Sequence, residues 1–191
     1  MQNSPKFRPR RSVLYVPATN AKAMAKIGSL ACDAVGLDLE DSVGPAEKAS
    51  ARDSLSSFFA EKSWGKREIV IRVNGLTSEW GADDLPLAAS LAPDAILLPK
   101  VDKPRDILEA NDVLDEADVP ASTALWAMIE TPRAMLNIGA IAELGRDRAS
   151  RLSCFVAGRP VQSTRTLEVR FPFDGSLSGT VNVAGRAVGL V

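Results

Sequence analysis

Residues 68–100, EIVIRVNGLTSEWGADDLPLAASLAPDAILLPK, contain a complete strand–helix–strand unit and decide the fold class. Residues 68–73 and 95–98 are short apolar runs typical of buried strands, and residues 83–91 between them are typical of a short helix. The first run ends at Asn74-Gly75, a strong turn signal. Because the helix returns the chain across the sheet, the two strands are predicted to be parallel.

The same alternation extends on both sides of this unit. Further strands are predicted at residues 12–18, 34–39, 123–129 and 152–157, and further helices at residues 21–30, 45–62, 104–117 and 133–144. Six strands that are buried on both faces and separated by helices indicate a parallel sheet. An open doubly wound sheet and a (β/α)8 barrel both fit this order of elements.

Polar residues at the strand ends favour the barrel, whose active face collects the carboxyl ends of its strands. They are Asn20, Asp41, Arg72, Lys100 and Glu130. The absence of a G-x-G-x-x-G pattern after the first strand counts against a dinucleotide-binding sheet. We therefore predict an α/β fold, an incomplete (β/α)8 TIM barrel of about six βα units.

The composition and the periodicity of the sequence change after Gly158. Residues 159–191 have no helical period and are rich in Gly, Ser, Thr and Val. Within them, residues 168–181 (EVRFPFDGSLSGTV) predict two short strands around an Asp174-Gly175 turn. The predicted domains are therefore a partial barrel at residues 1–158 and a tail at residues 159–191 that contains a β-hairpin.

Composition excludes several classes of function. The chain has 191 residues, a net charge of −1 and no histidine. The absence of a basic excess argues against nucleic-acid partners and anionic membranes. The absence of histidine excludes Ser-His-Asp machinery and His-rich zinc sites, so a bound metal would be a hard ion with oxygen ligands, such as magnesium. Two separated cysteines in apolar surroundings and short apolar runs predict a soluble cytoplasmic protein.

Asp38, Glu40 and Asp41 form an acidic cluster at the end of the second predicted strand. Alternation along the strand places Asp38 and Glu40 on the same face. Carboxylates held together there can bind a cation, or can hold water and cationic side chains in place. A structural ion-pair network at the mouth of the barrel fits these residues equally well.

Arg72, Lys100 and Glu130 are charged residues at the ends of three other predicted strands. Among Ile and Val, the Arg72 guanidinium needs an anionic partner, either a substrate carboxylate or an acid of the second strand. Lys100 fits a strand-end cation or a salt-bridge partner of the acids. Glu130 fits a metal ligand, an acid or a cap of the next helix. Together, these charges are typical of a metal-assisted site for an anionic, oxygen-rich substrate.

Five motifs in order and spacing resemble the citrate lyase beta-subunit family of the HpcH/HpaI aldolase group. They are RRSVLYVPATN (residues 10–20), VGLDLEDSVGPAEKASAR (35–52), IVIRVNG (69–75), ILLPKV (96–101) and MIETPRAML (128–136). The resemblance covers residue 11 to about Gly158. It implies a barrel enzyme that cleaves or forms a carbon–carbon bond in a 3-hydroxyacyl thioester such as citryl-, malyl- or citramalyl-CoA. It also implies magnesium, an acyl-thioester substrate and a homo-oligomeric family, with the oligomeric state of this chain left open.

The resemblance also implies roles for single residues. Arg72 and Asp41 are expected to be catalytic, and Arg72, Glu130 and Lys48 are expected to contact substrate. Glu130 is also the expected magnesium ligand. The family's second metal ligand is an Asp in a Gly-x-x-Asp-Leu segment after the sixth strand, whereas the sequence here continues as RPVQSTR. The chain is therefore expected to be a truncated lyase with impaired activity.

Two alternatives remain at this point: a non-catalytic protein that binds acyl-CoA or a partner subunit, and a phosphoenolpyruvate-type barrel enzyme. The tail has a separate resemblance. Residues 167–181 (LEVRFPFDGSLSGTV) are similar to the first hairpin of aldehyde dehydrogenases, which suggests sequence of another origin after residue 158.

Overall fold

A five-stranded parallel sheet is the centre of the computed structural model, which describes residues 10–144 and the strand segments 155–156, 159–160, 166–170 and 177–182. The strands of the sheet are β1 (Val13–Pro17), β2 (Ala34–Asp38), β3 (Glu68–Arg72), β4 (Ala95–Leu98) and β5 (Ala124–Ala127). The helices are α1 (Ala21–Met24), α2 (Lys48–Glu61), α3 (Gly81–Leu91), α4 (Pro104–Glu116) and α5 (Pro132–Leu144). No helix in this described part of the chain is both long enough and apolar enough to cross a bilayer.

The order of the strands selects the barrel-type arrangement. Each strand pairs in parallel with the next strand of the sequence, giving the order β1-β2-β3-β4-β5. In a doubly wound sheet the order in which successive strands are added reverses at a switch point, and the strand order of the described sheet has no such reversal. This succession of parallel βα units is the pattern of a (β/α)8 barrel, as predicted.

The two faces of the sheet differ in what covers them. One face packs against helices through a large apolar cluster in which Leu37, Ile71 and Ile96 of the strands meet Leu55 and Ile107 of the helices. The opposite face carries a smaller cluster formed by strand residues and the chain that follows β5. Its members are Val70, Ala95 and Leu97, with Ala124, Trp126 and Met128 packed against them. In a barrel this second face points inward.

The helices begin where local capping groups allow it. Asn20 caps α1, because its Oδ1 accepts the Ala23 N–H at 3.0 Å. The predicted helix 21–30 is divided into α1 and a 3-10 turn at Ile27–Ser29. At Gly28 a side chain would collide with the Ser63 carbonyl oxygen, so this turn packs backbone to backbone. The predicted helix from Pro45 likewise opens with a 3-10 turn, Pro45–Glu47, before α2.

The prediction of a strand buried on both faces at residues 12–18 was wrong for the first half of β1. Val13, Leu14 and Tyr15 are 39%, 44% and 43% exposed. The reason is that β1 lies at the edge of the sheet formed by the described residues, where its one neighbour is β2. Apolar composition identifies a strand but does not reveal whether it is central or at an edge.

The prediction of a sixth parallel strand at residues 152–157 was also wrong. Phe155–Val156 (β6) pairs antiparallel with Arg159–Pro160 (β7), and β5 remains the last strand of the sheet. Only two residues separate β6 from β7 along the chain. The two strands can therefore pair only antiparallel, because a parallel pair needs a long crossover.

The hairpin predicted in the tail is present as a strand pair. Thr166–Arg170 (β8) pairs antiparallel with Leu177–Asn182 (β9). The Asp174-Gly175 turn itself lies outside the described residues. The domain boundary at residue 158 stays a prediction.

Candidate active site

The carboxyl ends of β2 and β3 meet in a buried ion pair. Asp38 and Arg72 are the last residues of these strands and are partners in the sheet register. The Arg72 guanidinium donates from Nε and NH2 to the two Asp38 carboxylate oxygens at 2.7 and 2.6 Å. Asp38 is 1% exposed and the Arg72 side chain is 12% exposed. The partner of Arg72 that the sequence left open is therefore an acid of the second strand.

Backbone and hydroxyl groups hold the Asp38 carboxylate on its other side. The Glu40 N–H donates to Oδ1 at 2.9 Å, and the Ser42 N–H and Oγ–H both donate to Oδ2. Burial alone would raise the pKa of Asp38, but the hydrogen bonds from Arg72 and Ser42 outweigh it and lower that pKa. Asp38 is therefore a fixed anion that orients Arg72.

The third guanidinium nitrogen of Arg72, NH1, lies beside the acids that follow β2. NH1 lies 3.1 Å from Glu40 Oε2 and 3.6 Å from Asp41 Oδ2. The Arg72 guanidinium carbon lies 5.1 Å from the centre of the Tyr15 ring. The hydrogen bond to Asp38 raises the pKa of Arg72, so the guanidinium stays charged. Burial of Tyr15 raises the pKa of its hydroxyl.

Lys100 connects the acidic cluster to the end of β5. Its Nζ lies 2.7 Å from Glu40 Oε1 and 3.6 Å from Asp41 Oδ1, and its backbone N–H donates to Glu130 Oε1 at 2.8 Å. Lys100 has a φ of 52°, in the left-handed region that residues other than glycine seldom adopt. The hydrogen bond to Glu40 raises the pKa of Lys100, and the Lys100 side chain is 56% exposed.

Glu130 follows β5 and is exposed. Apart from its bond to the Lys100 N–H, its position is supported by the next residue. Thr131 Oγ1 donates to Asp102 Oδ1 and accepts the Ala134 N–H at 3.0 Å, so it caps α5. The cap that Glu130 was considered for is thus Thr131. Glu130 itself presents a carboxylate at the mouth.

Lys48 is buried next to the backbone of the acidic cluster. Its ammonium donates to the carbonyl oxygens of Leu39 and Glu40 and to Asn74 Oδ1 at 2.7, 2.8 and 2.8 Å. Three partners match the three donors of an ammonium group. Burial lowers the pKa of Lys48. Lys48 therefore fixes the backbone on which Glu40 and Asp41 stand.

Asn74 and Asp84 extend this support to α3. The Asp84 carboxylate accepts the Asn74 N–H at 2.9 Å and the Asn74 side-chain amide at 2.5 Å, and Arg52 Nε donates to its other oxygen at 2.7 Å. Sequence reasoning used Asn74 only as a turn residue and did not single out Asp84 or Tyr15. For Asn74 the available signal was a polar residue just after a buried strand, and for Asp84 and Tyr15 the sequence offered no such signal.

An open cleft of about 480 Å³ adjoins these strand ends. Its walls come from the loops after β2, β3 and β4, and they include Asp41, Lys100 and Trp80. Of the predicted site residues, Asp41 and Lys48 line this cleft. Arg72 and Asp41 contact each other, and Glu130 joins them through Lys100.

The described residues do not form a complete metal site. Among them, no three Asp, Glu, Cys or His side chains converge in a group that could hold a metal ion. Glu130 supplies one exposed carboxylate of the type that hard cations bind. Asp38 and Glu40 are already committed to Arg72 and Lys100.

Comparison with known proteins identifies the family. Residues 11–157 match the family model described as HpcH/HpaI aldolase/citrate lyase. The chain belongs to this family. The matched residues contain four of the five motifs in full and the first motif from Arg11 onward. The family includes lyases such as citrate lyase subunit beta.

Three relatives give the extent of this similarity. The chain is 43% identical over 134 residues to a (3S)-malyl-CoA thioesterase of Cereibacter sphaeroides, covering 70% of this chain and 45% of the relative. It is 36% identical over 132 residues to the citrate lyase subunit beta of Escherichia coli, covering 66% and 44%. The crystal structure of protein CitE from Mycobacterium tuberculosis in complex with magnesium and acetoacetate has a TM-score of 0.58 at 26% identity, covering 78% and 54%.

The match therefore spans less than half of these two curated relatives. It confirms the predicted family and the parallel α/β architecture, which corresponds to that of CitE. Magnesium is present in the solved relative.

Proposed function

We propose that this chain acts as a carbon–carbon lyase on a 3-hydroxyacyl-CoA-type thioester, and that its described residues form the part of the site that binds the substrate carboxylate. The observation that carries the proposal is the Asp38–Arg72 ion pair. It uses Nε and NH2 of the guanidinium inside the protein, whereas NH1 contacts Glu40 at 3.1 Å and the exposed Asp41 at 3.6 Å, and Lys100 contacts the same two acids. Family membership and the names of the relatives, which include malyl-CoA and citrate among their substrates, support the substrate class.

Cleavage of such a thioester separates charge in a way that this site can stabilise. The 3-hydroxyl loses its proton, the bond between C2 and C3 breaks, and the 3-carbon becomes a carbonyl. The electron pair remains on C2 as the enolate of the acyl thioester, which then takes a proton. In this proposal Arg72 and Lys100, which both contact the exposed Asp41 carboxylate, bind the anionic substrate and stabilise negative charge on oxygen.

Each predicted site residue has a place in this proposal. Arg72 binds and orients the substrate carboxylate, and Asp41 is the exposed acid that contacts both cations. Glu130 faces the substrate from the end of β5. For Lys48 we propose a supporting role, because its three ammonium donors are used within the chain.

Magnesium dependence is part of the proposal on the basis of the family. The solved relative carries magnesium, and Glu130 is the residue here that would contribute a carboxylate to it. The described residues do not complete such a site, so we assign no step to the ion. Metal affinity is expected to be weak unless further ligands join Glu130.

The test is turnover of malyl-CoA and citramalyl-CoA by the full chain, with and without Mg²⁺, followed by identification of the products. A carbonyl fragment plus a shorter acyl-CoA supports the lyase. Free hydroxy acid plus CoA would instead indicate thioester hydrolysis, the activity named for one relative. Turnover of a phosphoenolpyruvate-type substrate would favour that class of barrel enzyme, and thioester binding without turnover would favour a binding protein.

Two variants make this test specific to the site. Arg72→Lys keeps the charge but loses the planar geometry, and it is expected to reduce kcat/KM by about 100-fold. Glu130→Gln is expected to abolish any Mg²⁺ response, measured as Mg²⁺ binding by calorimetry as well as by activity. The matched control is Glu109→Gln, which removes a cleft carboxylate that pairs with Arg105. An unchanged Mg²⁺ response in Glu130→Gln would remove Glu130 from the proposed site.

A further inference from the structure

We propose that Arg72 and Lys100 form a two-cation fork for the free carboxylate of the substrate, and that Asp41 occupies this fork until the substrate displaces it. The inference rests on the proposed function, because it names the part of the substrate that the site recognises. It assigns Lys100, together with Arg72, to the free carboxylate of the substrate and gives Asp41 the role of an internal competitor.

The geometry of Asp41 carries this inference. One carboxylate oxygen, Oδ2, lies 3.6 Å from Arg72 NH1, and the other, Oδ1, lies 3.6 Å from Lys100 Nζ. A carboxylate with one oxygen toward each cation has the arrangement that a bound substrate carboxylate would adopt. The contacts are long and the Asp41 side chain is 64% exposed, so they are weak and easily replaced.

The other two acids cannot act as such an occupant. Asp38 is 1% exposed and takes Nε and NH2 of Arg72, while Glu40 is 5% exposed and lies 3.1 Å from Arg72 NH1 and 2.7 Å from Lys100 Nζ. These two acids fix both cations from the protein side. Asp41 contacts the same cations from the solvent side.

Lys100 has the properties of the outer arm of the fork. Its side chain is 56% exposed in the wall of the cleft, and its ammonium lies 2.7 Å from Glu40, which keeps it charged and in place. The exposed ammonium has three donors, so it can serve Glu40 and an incoming carboxylate together. Exchange of Asp41 for a substrate carboxylate leaves the number of charges around the fork unchanged, and neither cation loses its counter-ion.

The test measures binding of malonate, a small dicarboxylate that cannot undergo the reaction, by calorimetry at low ionic strength. Asp41→Asn removes the competitor and is expected to bind malonate about three- to tenfold more tightly than the wild-type chain. Lys100→Met removes one arm and is expected to weaken binding by a similar factor. Lys100→Arg is expected to restore binding, since it returns the cation.

Glu109→Gln is the matched control, because it removes one negative charge from the same cleft without contacting Arg72 or Lys100. The inference is overturned if Asp41→Asn and Glu109→Gln have equal effects, if Asp41→Asn weakens binding, or if Asp41→Asn shows no malonate binding. Turnover is a separate readout. If malonate affinities follow the predicted order but no thioester is turned over, the fork is supported and the lyase proposal is contradicted. If thioester is turned over but the affinities do not follow that order, the lyase proposal is supported and the fork is contradicted.

Discussion

Replacement of Asp38 by Asn is expected to destabilise the fold strongly, although it changes one atom. The Asp38 carboxylate is 1% exposed and accepts hydrogen bonds from Arg72 Nε and NH2, the Glu40 N–H, and the Ser42 N–H and Oγ–H. All of these groups are donors. An Asn side chain would turn an NH2 group toward one set of them, which places donor against donor.

The magnitude follows from the burial of the pair. Removal of one partner of a buried ion pair costs roughly 3–5 kcal/mol, because the other charge loses its counter-ion. Here Arg72 would retain Glu40 at 3.1 Å, which offsets part of that cost. We therefore expect the free energy of unfolding to fall by about 2–4 kcal/mol, a large share of the roughly 5–15 kcal/mol of a typical domain.

Urea denaturation followed by circular dichroism and tryptophan fluorescence measures this loss. Asp33→Asn is the control, because Asp33 also pairs with an arginine, Arg11, whose side chain is 72% exposed. Because solvent screens that pair, the exchange is expected to cost less stability than Asp38→Asn. The double variant Asp38→Asn with Arg72→Met should cost less than the sum of the single variants. A loss below about 1 kcal/mol, the range of surface pairs, would refute the role assigned to Asp38.

Two further predictions concern pH and glycine. Asp38 and Asp33 have lowered pKa values, about 2 for Asp33 against an ordinary 3.8, so the unfolded chain takes up protons first as the pH falls. The stabilisation by each carboxylate is present above pH 3.8 and is lost as the pH falls below 3.8, for Asp33 toward about pH 2. Urea denaturation at pH values from 7 to 2 should show a shallower decline in the stability of Asp38→Asn than of the wild-type chain, and identical declines would contradict this. Gly139→Ala in α5 should stabilise the fold by roughly 0.5–1 kcal/mol, because the added carbon meets open space. Gly81→Ala should destabilise the fold, because there the added carbon collides with the Gly75 carbonyl oxygen. Thermal unfolding of both variants checks the contrast, and equal shifts would contradict it.

The elements of the sheet could be predicted because their signals are local. The run at residues 95–98 was predicted with the bounds that β4 has, and the other four strands of the sheet were found within two residues at each end. The sixth strand was wrong because pairing is not a local property. Residues 155–156 are apolar enough for a strand, but their partner lies only two residues further along the chain.

The candidate site could be predicted as a set of charges but not as a set of contacts. Strand-end positions identified Asp41, Arg72, Lys100 and Glu130 as neighbours at one edge of a parallel sheet. Which acid takes Arg72 depends on the β2–β3 register, which pairs Asp38 with Arg72. The link from Lys100 to Glu130 runs through a backbone N–H, which side-chain identities do not predict.

The sequence by itself determined the family, the parallel sheet and the collection of charges at its carboxyl edge, because periodicity, strand-end chemistry and five ordered motifs are properties of the chain. Only the tertiary structure decided how those charges are used. It buried Asp38 against Arg72, used the three donors of Lys48 inside the fold, and left Asp41 weakly held between two cations. The physical reason is that burial and register set the strength of each ion pair, and both depend on neighbours that are distant in sequence.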